Sequence, residues 1–388
     1  MLSSSFLNYF LSLYISFFIV INSTIIKNNE DFLKNINVQE ELHIQDYILI
    51  NDTNNININS SSISLIGDFH DSTLQFSNNI SFLEKCEKIE IKNITIYGNL
   101  NFHNNKKIKF ENVIFNGIFI INNDILESKS SLEILNSSFF LSNQKSGFEI
   151  NHYNVNINNS NFYGNNIYNL YLLKFIGSEE NINIIRINNS TISGNYFNSG
   201  IQTLSLSYTY NVFNYTKFIN NYSESRGGSI FLYHTYDTSI YDITFKNTTA
   251  FEYGHALSIY SDMSYTTNTN IKNVKHYGNL YKNNFITEGT FLNSYGENLL
   301  TINNYEGSNI STGNVMSFEG DPKVTLSNFT INNIYLKNKG AVIKTYNPKK
   351  KGASIEFNSS YLNDIVQNYD LYTPMLLYIL SGSIKINR

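Results

Sequence analysis

KIEIKNITI (Lys88–Ile96), KIKFENVIF (Lys107–Phe115) and SLEILNSSF (Ser131–Phe139) are one pattern written three times. Two apolar residues alternate, an Asn follows two positions later, and an aliphatic or aromatic residue stands three beyond it. Further copies run through Val155, Ile157, Asn159 and Phe162, then Ile185, Ile187, Asn189 and Ile192. Later ones centre on Asn273, Asn304, Asn328 and Asn358, with Tyr215 and Asp242 in the Asn place of two others. Asn is abundant throughout the chain, yet a single column that holds it in about nine copies of eleven exceeds what composition alone produces. Steps of about 19 to 31 residues are those of a solenoid repeat. Alternation at period 2 makes each copy a short strand with one buried face. Asn suits the bend because it tolerates left-handed backbone angles.

A second motif follows these strands: Gly, two residues, an aliphatic, two residues, Tyr. It occurs at Gly147/Ile150/Tyr153, Gly227/Ile230/Tyr233, Gly254/Leu257/Tyr260, Gly289/Leu292/Tyr295 and Gly340/Ile343/Tyr346, with Glu319 in the Tyr place after Gly313 and Met316. Residues three apart on a strand point to opposite faces. If the aliphatic faces inward, Tyr153, Tyr233, Tyr260, Tyr295 and Tyr346 form an outer aromatic stripe able to bind carbohydrate. A bulge that resets the parity would instead make them a packing stack.

Repeats of this size with Asn bends resemble the right-handed parallel β-helix of the pectate-lyase superfamily. The F-x-x-N elements Phe140–Asn143, Phe162–Asn165, Phe218–Asn221 and Phe329–Asn332, with Gly227-Gly228-Ser229-Ile230, are similar to the FxxN and GGAI repeats of polymorphic outer-membrane adhesins. The resemblance implies an all-β fold, a single-stranded right-handed parallel β-helix of about eleven rungs over residues 63–388. Residues 1–23 read as a signal peptide and 24–62 as an opening and capping region. The closing Ile384 and Ile386 read equally as an interrupted rung of a truncated chain or as a terminal strand.

Composition narrows the function. The 388 residues carry a net charge of −4 with 27 basic and 31 acidic side chains, so no nucleic acid partner is expected. Phe6–Ile21 is an apolar stretch followed by Asn22, Ser23 and Thr24, as in a secretory signal, and no later segment has the length to span a membrane. Cys86 is the only cysteine, so no intrachain disulfide forms, and it reads as a buried filler. Glycan acceptors in Asn-x-Ser/Thr are expected at Asn51, Asn59, Asn79, Asn214, Asn221, Asn247 and Asn309, besides Asn22. Those of the bend column (Asn93, Asn136, Asn189, Asn328, Asn358) are expected to be inaccessible if the bend Asn is buried.

Chemistry is sparse. His255 in GHALSIY resembles the Gly-His-Gly histidine of polygalacturonases, but other copies hold Phe148, Gly228, Thr290, Asn314 and Ala341 in its column, which marks a filler rather than a base. The Asn-Thr-Asp, Asp-Asp and Arg-Ile-Lys sets of those enzymes are missing. Glu30-Asp31, Glu40-Glu41 and Glu179-Glu180 read as solvated, while Asp237, Asp242, Glu252 and Asp262 fall in neighbouring rungs and are the candidates for paired carboxylates. No cofactor, metal or catalytic residue is assigned. The leading expectation is a secreted or cell-surface protein for binding or adhesion to a polysaccharide or a cell-surface glycoprotein. The alternatives are a pectin-lyase-like lyase or glycoside hydrolase acting through Asp242 or Asp262, and a truncated member without activity.

Overall fold

A computed structural model describes residues 23–52, 54–68, 72–124, 129–144, 146–168, 171–177, 182–204, 209–262, 266–278, 289–337, 340–347, 352–367 and 375–387. The apolar segment Phe6–Ile21, Asn22 and Glu179-Glu180 lie outside them. The alternating pattern becomes strand wherever it was written: Lys88–Tyr97 and Leu100–His103 make one turn, and Lys107–Gly117 and Phe119–Asn122 make the next. Each strand pairs in parallel with its counterparts one turn before and one turn after, as in Lys107↔Lys88, Phe110↔Ile91 and Phe115↔Ile96. Two long sheets result, one of 21 strands and one of 13. The larger is creased along the Asn column, so every turn presents a first face before the Asn, a second face after it, and a third face formed by the smaller sheet. This is a parallel β-helix.

Thirteen strands on the third face at about 4.8 Å per step give a rod of roughly 60 Å. Coiling begins earlier than the repeat pattern indicates. Glu41–Ile44, Tyr47–Ile50 and Ile56–Ile58 already form a turn inside the span expected to be a cap, and among the described residues Ser23–Ile26 and the helix Asn29–Asn35 precede it. The Asn28 side chain accepts the Asp31 N–H to start that helix, which buries Phe32 against the first strands.

The crease is a column of single residues in the left-handed region. Asn93, Asn112, Asn136, Asn159, Asn189, Asp242, Asn273, Asn304 and Asn328 have φ between 45° and 58°, and so does Tyr215 at 48°. Their side chains point outward and bond up the column. Asn112 Nδ2 donates to Asn93 Oδ1 at 2.9 Å, Asn189 to Asn159 at 2.6 Å, Asn304 to Asn273 at 2.8 Å and Asn328 to Asn304 at 2.9 Å. The ladder is therefore external, and Asn136, Asn189 and Asn328 are exposed rather than inaccessible. In the last copy the bend falls on Ser359, φ 61°, and not on Asn358, which stacks on Ser327.

A second left-handed column ends the second face: Asn220, Asn247, Gly278, Asn309, Asn333 and Asp364. Asn247 donates to Asn220 at 3.1 Å and Asn333 to Asn309 at 2.6 Å. The neighbouring Asn221 corrects one glycan assignment. It is buried, accepts the Gly194 N–H at 2.6 Å and donates to Ser229 Oγ at 3.1 Å, so its amide is enclosed in the wall. Asn51, Asn59 and Asn309 are exposed, while Asn79, Asn214 and Asn247 are half-buried.

Glycine in the second motif has a specific cause. Gly227, Gly254 and Gly289 have φ of 62°, 62° and 69°, and a Cβ on each would stand 2.5 Å from the carbonyl oxygen of Ile230, Leu257 or Leu292. Glycine alone lets the chain fold back on the residue three ahead. Gly147 is no such copy. Phe148 is the residue in file with Leu173, Ile201 and Ile230, which puts Asn151, not Tyr153, in the Tyr place.

The interior changes along the axis. In the early turns it is a packed run of phenylalanines: Phe82 on Phe102 at 4.8 Å, Phe119 on Phe148 at 4.7 Å and Phe139 on Phe162 at 4.9 Å. The inward file Ile89, Ile108, Leu132, Val155, Ile185 then continues as Asn211, Thr238 and Thr269 before returning to Leu300 and Val324. Asn211 Nδ2 donates to Thr209 Oγ1 at 3.2 Å and Thr238 Oγ1 at 3.1 Å, while its Oδ1 is buried without a partner.

Candidate functional site

The outer side of the third face carries the Tyr motif. Tyr233, Tyr260, Tyr295, Glu319 and Tyr346 stand in one file over successive turns. Ile230 and Leu232 are inward and fully buried, so strand parity turns Tyr233 outward, and Tyr260 and Tyr295 follow by register. The stripe is shorter than the motif suggests. Glu319 interrupts it before the exposed Tyr346, and Tyr153 is not in it: its ring is buried inside the coil with the hydroxyl donating to the Asn105 carbonyl at 2.5 Å. Burial, opposed by hydrogen bonds with Ser130 and with the Asn105 carbonyl, raises the Tyr153 phenol far above its usual pKa.

The three outward rings stack on one another, 5.3 Å and 15° for Tyr233–Tyr260 and 4.6 Å and 3° for Tyr260–Tyr295. Stacking takes up both faces of Tyr260 and one face each of Tyr233 and Tyr295, so the middle of the row offers ring edges. The Arg226 guanidinium carbon stands 5.4 Å from the Tyr260 ring centroid and 5.1 Å from that of Tyr253, with Glu252 3.7 Å from its Nε. Burial raises the Tyr295 phenol, helped by Tyr260 and Glu319 and opposed by Arg226. Ser258, Asn293 and Ser317 are outward in register, two positions before the Tyr file, and nevertheless buried.

Earlier on the same face Glu149 and Lys174 are paired across turns at 3.0 Å, and the Tyr171 hydroxyl donates to Glu149 at 3.1 Å. Burial works to raise the Glu149 carboxyl, but Lys174, Asn151 and Tyr171 together hold it below its ordinary value. The pair's stabilisation is complete above the unfolded carboxylate pKa of about 4.3 and is lost as pH falls through the lower folded value. Glu149→Gln is expected to flatten this part of the acid unfolding curve, read as stability against denaturant between pH 3 and 6. An unchanged slope would show the pair contributes nothing.

The other candidates are structural. His255 is buried, and burial pushes its imidazole down to about 3, which leaves it neutral inside the wall. Cys86 is buried too, its thiol pushed up to about 11 by burial against a weaker lowering from Ser60. The four acids of neighbouring rungs fall at different corners of the coil. Asp237 is on the first face, Asp242 in the ladder accepting from Asn273 at 2.9 Å, Glu252 with Arg226, and Asp262 beyond the third face with its N–H donating to His234 Nε2 at 3.1 Å. Among the described residues no three His, Cys, Asp or Glu side chains are grouped to hold a metal, and no helix is long and apolar enough to cross a membrane.

One feature is invisible to motif reading. A groove of about 690 Å³ runs outside the crease, between the ladder and the first outward file of the second face. The chain matches no protein-family profile, no curated protein and no solved structure.

Proposed function

We propose that the chain is a secreted or cell-surface binding protein that holds an extended polysaccharide along its third face, in the architecture of the pectate-lyase-like and adhesin β-helices its repeats resemble. The supporting observation is the outward row Tyr233–Tyr260–Tyr295 with Arg226 laid over its middle ring. Because both faces of the middle ring are taken up in stacking, recognition there runs through phenol hydroxyls and the guanidinium, a comb of donors at the rung spacing matched to a chain of hydroxyl groups. Asp237, Asp242, Glu252 and Asp262 stand at different corners of the coil rather than as a facing pair, which favours binding over catalysis by any two of them.

The test is a glycan array probed with the folded protein and with Arg226→Ala and Tyr260→Phe. Tyr260→Phe keeps the stack and removes one hydroxyl. Expected is retention of wild-type protein on at least one polysaccharide class, weakened several-fold by either substitution. A blank array with protein of intact β-sheet circular dichroism, or binding indifferent to both substitutions, would refute this reading.

A further inference from the structure

We infer that the groove along the Asn ladder is a second binding site, separate from the third face, for a neutral, hydroxyl-rich oligosaccharide, with Tyr215 as the stacking platform at one end.

The groove follows the ladder from Tyr215 through Asp242, Asn273 and Asn304 to Asn328, five turns and therefore about 20 Å of rod. Its floor is regular because each residue sits one turn above the last in the same left-handed conformation. Asn273 donates to Asp242 and Asn304 to Asn273, one bond from each Nδ2 along the ladder, whereas an amide carries two N–H groups and an oxygen with two lone pairs. Asn273 and Asn304 therefore have donor and acceptor capacity beyond the ladder, and Asp242 acceptor capacity, at the rung spacing, which suits hydroxyls, each of which both donates and accepts.

Tyr215 is the residue that does not belong. The other positions of the column from Asn93 to Asn328 hold Asn or Asp, which accept left-handed angles readily; an aromatic ring there costs backbone strain. The ring earns no burial in return, for its residue is 62% exposed, and it lines the groove. A strained, solvent-facing ring at the end of a hydrogen-bonding groove has the placement of a sugar-stacking residue.

Charge selects the ligand. The outer wall is the file Thr244, Lys275, Glu306, Thr330. With Asp242 on the floor, one ammonium faces two carboxylates, which disfavours a polyanion, whether nucleic acid or polyuronate. An added peptide strand is disfavoured as well, because the backbone groups beneath the groove are already paired between turns.

The experiment is calorimetric titration of linear hexasaccharides of β-linked glucose, xylose and mannose, with a galacturonate hexamer alongside, into wild type, Tyr215→Asn, Lys275→Ala and Tyr260→Phe. Tyr215→Asn restores the residue the ladder prefers, so its denaturation midpoint is expected to stay or rise while affinity for a neutral hexamer falls about tenfold, the contribution of one stacked ring. Lys275→Ala is expected to weaken binding less, while Tyr260→Phe reports on the third face alone and so tells the two sites apart. The inference is overturned if no neutral hexamer binds, if the galacturonate hexamer is preferred, or if Tyr215→Asn binds as wild type does. Loss in Tyr260→Phe with Tyr215→Asn unaffected would assign the binding to the third face alone.

Discussion

Gly254→Ala is expected to lower the urea midpoint by the equivalent of about 3 kcal/mol or more, the sum of placing a side chain at a left-handed angle and of overpacking a closed turn. At φ 62° the new Cβ stands 2.5 Å from the Leu257 carbonyl oxygen and 2.8 Å from the Ser258 Cβ. Both are held in parallel pairing with the turns on either side, Leu257 with Ile230 and Leu292. The chain cannot yield without breaking those pairs, so the loss falls on three turns at once. A midpoint within about 0.5 kcal/mol of wild type, the range of an ordinary surface change, would show that the turn relaxes and that glycine is not required. The same result is expected at Gly227 and Gly289, where the clash is repeated.

Phe139→Ala is the second large effect, about 3–5 kcal/mol, as for truncation of any fully buried Phe. The ring is fully buried and touches five others, at 5.6 Å from Phe110, 5.8 Å from Phe115, 5.7 Å from Phe119, 5.9 Å from Phe148 and 4.9 Å from Phe162. Those rings belong to three successive turns, so no single neighbour can move in to fill the space. Because a solenoid couples each turn mainly to its neighbours, amide exchange should accelerate around Lys107–Gly117, Ser138–Leu141 and Asn161–Tyr163 and stay slow near Lys323–Leu336. Uniform loss of protection over the whole rod would contradict this local coupling.

The two surfaces proposed for binding lie apart. The third face is a row of mutually stacked rings with a guanidinium across it, and the crease is a groove floored by amides. They lie on different faces of the prism, so substitutions at one leave the other as a control.

The sequence by itself determined the strands, their parallel stacking and the crease. Period 2 leaves only one buried face per strand, and a column of Asn at a fixed distance after two apolar residues admits one repeated bend. Asn112, Asn136 and Asn159 do stand over one another. Tertiary structure alone decided which way that column faces. A left-handed residue at a convex corner throws its side chain outward, and no local signal distinguishes this from a buried ladder. Tyr153 and Asn358 were misplaced for a related reason: register is set by pairing with the next turn, and a slip of one or two residues within a motif costs nothing in a linear reading. The polar file Asn211, Thr238, Thr269 and the groove beside Tyr215 were equally beyond reach, since each is made by residues about 27 to 31 positions apart that meet only when the chain has wound once around the axis.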